Sequence, residues 1–143
     1  MNDKLGRRLF VVGAVLMIVM GLVHSLSLFR AQVAHNETER QLIELMTNYT
    51  VNVLGSMRTM ENFVKGFSIA FMLAALGFGA LNLTVSGERA GLLKRVALVN
   101  VIWLAAMVAN SLLNFFVIPT SFLSIALLFF VLAWLKLPSE QGT

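Results

Sequence analysis

His24 is the only histidine inside a hydrophobic stretch of this chain, and Ser25 and Ser27 stand beside it. An imidazole in that setting could ligate a metal or haem, relay a proton, or hydrogen-bond a neighbouring helix. Ligation needs further donors, and the sequence supplies few. Cysteine is absent, His35 falls in a polar segment, and no Asp or Glu lies within an apolar run. Thiolate catalysis, disulfides and cysteine-held metals are thereby excluded, and proton-coupled transport lacks its carboxylate. No Walker loop, H-E-x-x-H or G-x-S-x-G motif is present. The expectation is therefore no catalytic residue, no metal and no cofactor. Other polar side chains within or at the rims of apolar stretches are Glu61, Lys65, Ser68, Asn110, Asn114 and Ser124. Each also has a plain structural use. Lys65 can snorkel and pair with Glu61 one turn earlier, and asparagines bind helices together in lipid.

These residues must be positioned by apolar segments. Leu9–Phe29 has no charged side chain and, at about 1.5 Å per residue, covers a hydrocarbon core of roughly 30 Å. Across 143 residues only 13% are charged and 58% are hydrophobic. A soluble domain carries about 25% charged residues, so this balance indicates an integral membrane protein. The formal charge of +4 is spread over loop flanks and forms no basic stripe, so nucleic acid is not an expected partner. A cleaved signal peptide is disfavoured, because its apolar core runs about 7–15 residues and this one is longer. Arg30 follows directly, and RAQVAHN offers no small-x-small cleavage site. The segment reads as an uncleaved anchor.

The resulting expectation is an all-α, integral membrane protein forming one domain over residues 1–143. It is an antiparallel bundle of four transmembrane helices, spanning about 9–29, 63–83, 96–118 and 120–136. In the first extracytoplasmic loop, Leu42, Met46, Tyr49 and Val53 recur at helical spacing and predict a short amphipathic helix. Gly66, Ala70, Ala74 and Gly77 share a face of the second span and suggest a close helix contact there. Pro119 is expected to break the chain between the last two spans, with Thr120 or Ser121 as N-cap.

Orientation follows from the basic residues. Lys4, Arg7, Arg8, Arg89, Lys94, Arg95 and Lys136 fall on one side, against Arg30, Arg40, Arg58 and Lys65 on the other. The bias puts both termini in the cytoplasm, in a multi-pass protein of the inner membrane. Depth then groups the polar residues. From the near boundary His24 lies roughly 22 Å deep and Asn110 about 21 Å, while Ser68 enters from the opposite face at about 7 Å. A core of about 30 Å brings all three to one level. His24, Ser27, Glu61, Lys65, Ser68, Asn110, Asn114 and Ser124 thus form a candidate ligand-binding polar pocket in the outer leaflet. Glu61 and Lys65 would rim it, and the amphipathic helix would cover it. Asn82 and Asn100 form a smaller inner layer.

Gly21-Leu22-Val23-His24, Gly66-Phe67-Ser68 and Leu81-Asn82-Leu83 resemble short motifs of a group of small bacterial four-span membrane proteins with no established activity. The likeness covers about the first 85 residues and implies topology and bacterial origin only. The functional expectation is a small non-enzymatic membrane protein that binds a lipid-like ligand or supports a membrane complex. Its expected partners are membrane lipids and other membrane protein subunits. The alternative is a membrane enzyme or redox carrier using His24.

Overall fold

The computed structural model describes residues 3–29 and 32–139; Arg30, expected to close the first span, lies outside them. Five helices and one hairpin follow in order: α1 (Asp3–Ser27), α2 (Glu37–Asn48), β1 (Thr50–Val53), β2 (Ser56–Thr59), α3 (Met60–Val85), α4 (Ala90–Asn114) and α5 (Val117–Lys136). The four long helices α1, α3, α4 and α5 are each long and apolar enough to cross a membrane. Their outward faces carry large exposed apolar side chains, among them Val99, Ile102, Leu112 and Leu128.

Helix α1 begins well before Leu9. Asp3 sits in its first turn, where a carboxylate suits the helix dipole, and accepts from Arg7 at 3.2 Å. Arg7 also donates to the Ser86 carbonyl at 3.1 Å, tying this end of α1 to the α3–α4 turn.

The loop helix stops earlier than its periodicity suggests. Asn36 caps α2 by accepting from the Glu39 N–H, but Tyr49 is already extended and the chain turns into a hairpin. The apolar spacing that reaches Val53 continues by coincidence into β1. Val51 and Val53 favour a strand, and Asn52 accepts from the Gly55 N–H. Leu54 and Gly55 both have positive φ, at 50° and 86°, the pattern of a type I′ two-residue turn. Leucine is a poor residue for that conformation. The Arg40 guanidinium and the Gln41 amide hold the exposed Glu37 carboxyl below its ordinary range.

The α4–α5 junction also differs from expectation. The break falls at Phe115–Phe116, and Pro119 lies in the first turn of α5. Its missing N–H costs little there, since the first helical N–H groups have no intrahelical acceptor. Thr120 and Ser121 are therefore not caps. Their hydroxyls donate to the carbonyls of Phe116 and Val117 one turn back.

Helix α1 packs tightly on α3 and on α5, and α4 packs on α5. Glycines make these approaches possible, though not those of the expected stripe. A Cβ on Gly79 would lie 2.7 Å from the Ala14 carbonyl oxygen and 2.6 Å from the Ile18 side chain. On Gly13 it would meet the Phe130 ring at 2.9 Å, and on Gly21 the Leu76 side chain at 2.9 Å. Gly66 and Gly77 face open space, and Ala70 and Ala74 are exposed. Phe130, seated on Gly13, meets Phe10 edge-on at 5.2 Å and Phe78 at 6.4 Å. Phe78 in turn stacks on Trp103 at 4.4 Å. One aromatic cluster thereby joins all four long helices.

Gly79→Ala should cost about 1–3 kcal/mol, because its new methyl meets a backbone carbonyl that cannot turn aside. Gly66→Ala and Ala70→Leu should leave the detergent melting temperature unchanged or slightly raised. Equal losses from all three would contradict this packing.

Candidate functional site

Contacts along α1 set the register of its last turns. Gly6 meets Leu137 and Gly13 meets Phe130, so each step along α1 matches an equal step back along α5. Carried onward, the same register places His24 at the level of Pro119. Against α3, Gly21 meets Met72 and Leu76 while Gly79 meets Ala14 and Ile18, and this pairing brings His24 to Phe71. The two rings lie 5.0 Å apart, edge to face.

His24 Nε2 is buried and has no hydrogen-bond partner among the described residues. An unpaired buried polar atom costs about 1–3 kcal/mol, and such a cost is worth explaining. Two adjoining cavities meet at this ring. The larger, about 280 Å³, is lined from α1 by His24 and Ser27 and from α3 by Phe67, Ser68 and Phe71. Met107 and Ser111 of α4 and the Phe115–Phe116 elbow complete much of the rest. The smaller, about 200 Å³, lies between α1 and the start of α5, with Val23, Leu26, Ile118 and Phe122 in its wall. His24, Ser27, Phe71, Phe116 and Pro119 border both.

Two of the three serine hydroxyls in the larger cavity, those of Ser27 and Ser111, are engaged. Ser27 donates to the His24 carbonyl at 2.6 Å. Thr120 donates its single hydroxyl hydrogen to Phe116, so the 2.7 Å contact between Ser111 and Thr120 has Ser111 as donor. Their remaining lone pairs can still accept. Neither cavity is lined by a charged side chain.

Of the residues marked by sequence, the structure thus brings His24, Ser27 and Ser68 to one cavity and leaves the others apart. Glu61 and Lys65 form an ion pair at 2.8 Å in the first turns of α3 and do not line it. Asn114 donates to Asn110 at 3.0 Å on the exposed face of α4. Ser124 is exposed on α5, in a shallow depression with Ser121 and Ile125. Helix α2 buries no residue and packs near β2 and the start of α3, so it does not line the cavity either. Sequence reasoning missed Ser111 as a lining residue, and with it the aromatic walls. Phe67 and Phe71 stand four apart around Ser68, a spacing that could have exposed the wall.

Comparison with protein-family models, with curated proteins and with solved structures finds no match. The site must be read from its own geometry. Among the described residues no three His, Asp or Glu side chains group as a metal site would require.

The Asn82–Asn100 pair behaves differently. Asn100 donates to Asn82, which donates to the Phe78 carbonyl, and both side chains are buried. Asn100→Leu leaves Asn82 without its donor and should lower stability by about 1–3 kcal/mol. His24→Leu removes an unpaired atom, so its melting temperature in detergent should equal or exceed that of the parent. A loss as large as that of Asn100→Leu would mean that His24 holds the fold through a hydrogen bond.

Proposed function

We propose that this chain is a non-enzymatic integral membrane protein of the bacterial inner membrane that binds a lipid-like ligand. In this reading the four long helices form an antiparallel bundle with both termini cytoplasmic, and α2 and the hairpin lie outside. The single observation behind the binding role is the unpaired His24 Nε2, set in a cavity walled by aromatic and aliphatic side chains and three serines. A wall of this kind suits small-molecule sites, where a few polar groups orient a largely apolar ligand. Native mass spectrometry after gentle detergent extraction tests it. The parent should carry an apolar adduct, and Ser68→Trp, which fills the cavity, should lose it. A correctly folded parent that never carries or accepts an apolar molecule would defeat the binding reading.

The accessory-subunit role has its own support. Leu42 and Leu45 of α2 and Tyr49 at its C-terminal cap are exposed, and the helix buries nothing. Zero-length crosslinking in membranes should then join the Glu37–Glu44 face to another membrane protein.

The proposed orientation rests on the bias of basic residues. Because no native cysteine exists, single cysteines replacing His35, Gly87 and Ser139 report sidedness cleanly. His35→Cys should react with an impermeant thiol reagent in intact cells, and Gly87→Cys and Ser139→Cys only after permeabilisation. Labelling of Gly87→Cys from outside would reverse the topology.

A further inference from the structure

We infer that the His24 cavity selects an uncharged, ring-headed amphiphile whose ring-borne hydroxyl or carbonyl oxygen hydrogen-bonds to Nε2 while its alkyl tail leaves between α1 and α5. This inference rests on the binding role proposed above and names the ligand class.

Three features lead to it. The first is charge. No Lys, Arg, Asp or Glu lines either cavity, and the nearby Lys65 is already paired with Glu61. A phosphate or carboxylate head would be desolvated there with no counter-charge, at a cost of several kcal/mol per ion. The second is shape. Phe67, Phe71, Phe115 and Phe116 supply aromatic wall from two sides of a space of about 280 Å³. Flat rings pack against such faces and edges in offset or T-shaped contacts, as the His24 and Phe71 rings already do at 5.0 Å. The third is hydrogen bonding. Ser27 and Ser111 spend their hydroxyl hydrogens on other oxygens, and beside the Ser68 hydroxyl the polar atom of this wall that is fully buried and unengaged is His24 Nε2. An imidazole nitrogen can accept from a phenolic hydroxyl or donate to a ring carbonyl, according to its tautomer. The adjoining cavity of about 200 Å³ then offers Leu26, Ile118 and Phe122 to an alkyl tail.

Four probes of similar overall length separate these features: 4-octylphenol, octylbenzene, 4-octylbenzoate and n-dodecanol. Each is titrated into purified full-length protein in detergent, with binding read by native mass spectrometry and corrected for micelle partitioning. The phenol should bind about tenfold more tightly than octylbenzene, the scale of one net hydrogen bond. It should exceed the benzoate by at least that factor and also exceed dodecanol. His24→Phe should reduce the phenol to the level of octylbenzene without weakening octylbenzene itself. Should that variant fail to fold, the ¹⁵N resonance of the His24 imidazole gives the answer in the parent. It should move with 4-octylphenol and stay still with octylbenzene.

Tight binding of the benzoate would overturn the uncharged head, and parity of dodecanol with the phenol would overturn the ring. Parity of octylbenzene with the phenol would remove His24 from recognition while leaving an apolar binding site. Binding of none of the four would instead defeat the cavity as a binding site altogether.

Discussion

Helices surrounded by lipid gain little from burying apolar surface against one another, because the tails outside are as apolar as the side chains inside. Close backbone approach must supply the attraction, and α1 achieves it on two sides at once. Gly79 of α3 admits the Ala14–Ile18 stretch of α1, and Gly13 of α1 admits the Phe130 ring of α5. These contacts also fix register. With Gly6 on Leu137 and Gly13 on Phe130, α1 cannot slide along α5 without driving side chains into backbone. The position of His24 beside Phe71 and Pro119 is thus decided about three and five turns away from the site itself.

The same arrangement explains why space opens at one end. Helix α1 grips α3 and α5, and α4 grips α5, while α3 and α4 are bridged by side chains. Phe78 stacks on Trp103, and Asn82 pairs with Asn100 one turn further along α3. Both bridges lie toward the Ser86 end. At the Phe67–Phe71 end the facing residues of α4 are Met107 and Ser111, and here the chain leaves a cavity. The two polar layers therefore differ in kind. The Asn82–Asn100 layer closes on itself as a satisfied amide pair, and the His24 layer leaves an imidazole nitrogen unengaged. A buried polar group with a partner strengthens a fold, whereas one without a partner weakens it until something binds there.

What sequence reveals here follows from what each signal measures. Long charge-free runs reveal spans because crossing hydrocarbon is a matter of composition and length. Level along the bundle is equally legible, since a helix rises by a fixed amount per residue. Azimuth is not. Asn110 and Ser111 are neighbours at nearly the same level, yet a turn of about 100° puts Ser111 inside and Asn110 outside. The small-residue face of α3 fails for the same reason. Gly66, Ala70 and Ala74 do share a face, but Met72, Leu76 and Gly79 are the ones that meet α1. The hairpin escaped notice because four-residue strands hardly differ from one more helical turn in apolar spacing. Only the Leu54–Gly55 backbone, with φ positive at both residues, separates them.

The placement of α2 bears on how a ligand would reach His24. A cap drawn from the loop would give an aqueous route past Glu61 and Lys65, but that ion pair stands outside the cavity wall and α2 packs elsewhere. The smaller cavity beside His24 lies instead between α1 and α5, lined by Val23, Leu26, Ile118 and Phe122. Every one of those side chains is apolar, so an amphiphile coming sideways from lipid would meet no desolvation barrier on the way in. A water-soluble anion would meet one at each step. Lateral entrance also fits the short α5. It begins at Val117, just past the Phe115–Phe116 elbow, so at this end the wall beside α1 is a helix start whose first turn contains a proline. That end of α5 is held by hydroxyl-to-carbonyl bonds from Thr120 and Ser121, and by Ser111 across to α4. The wall next to His24 is thereby fixed in place without closing the gap.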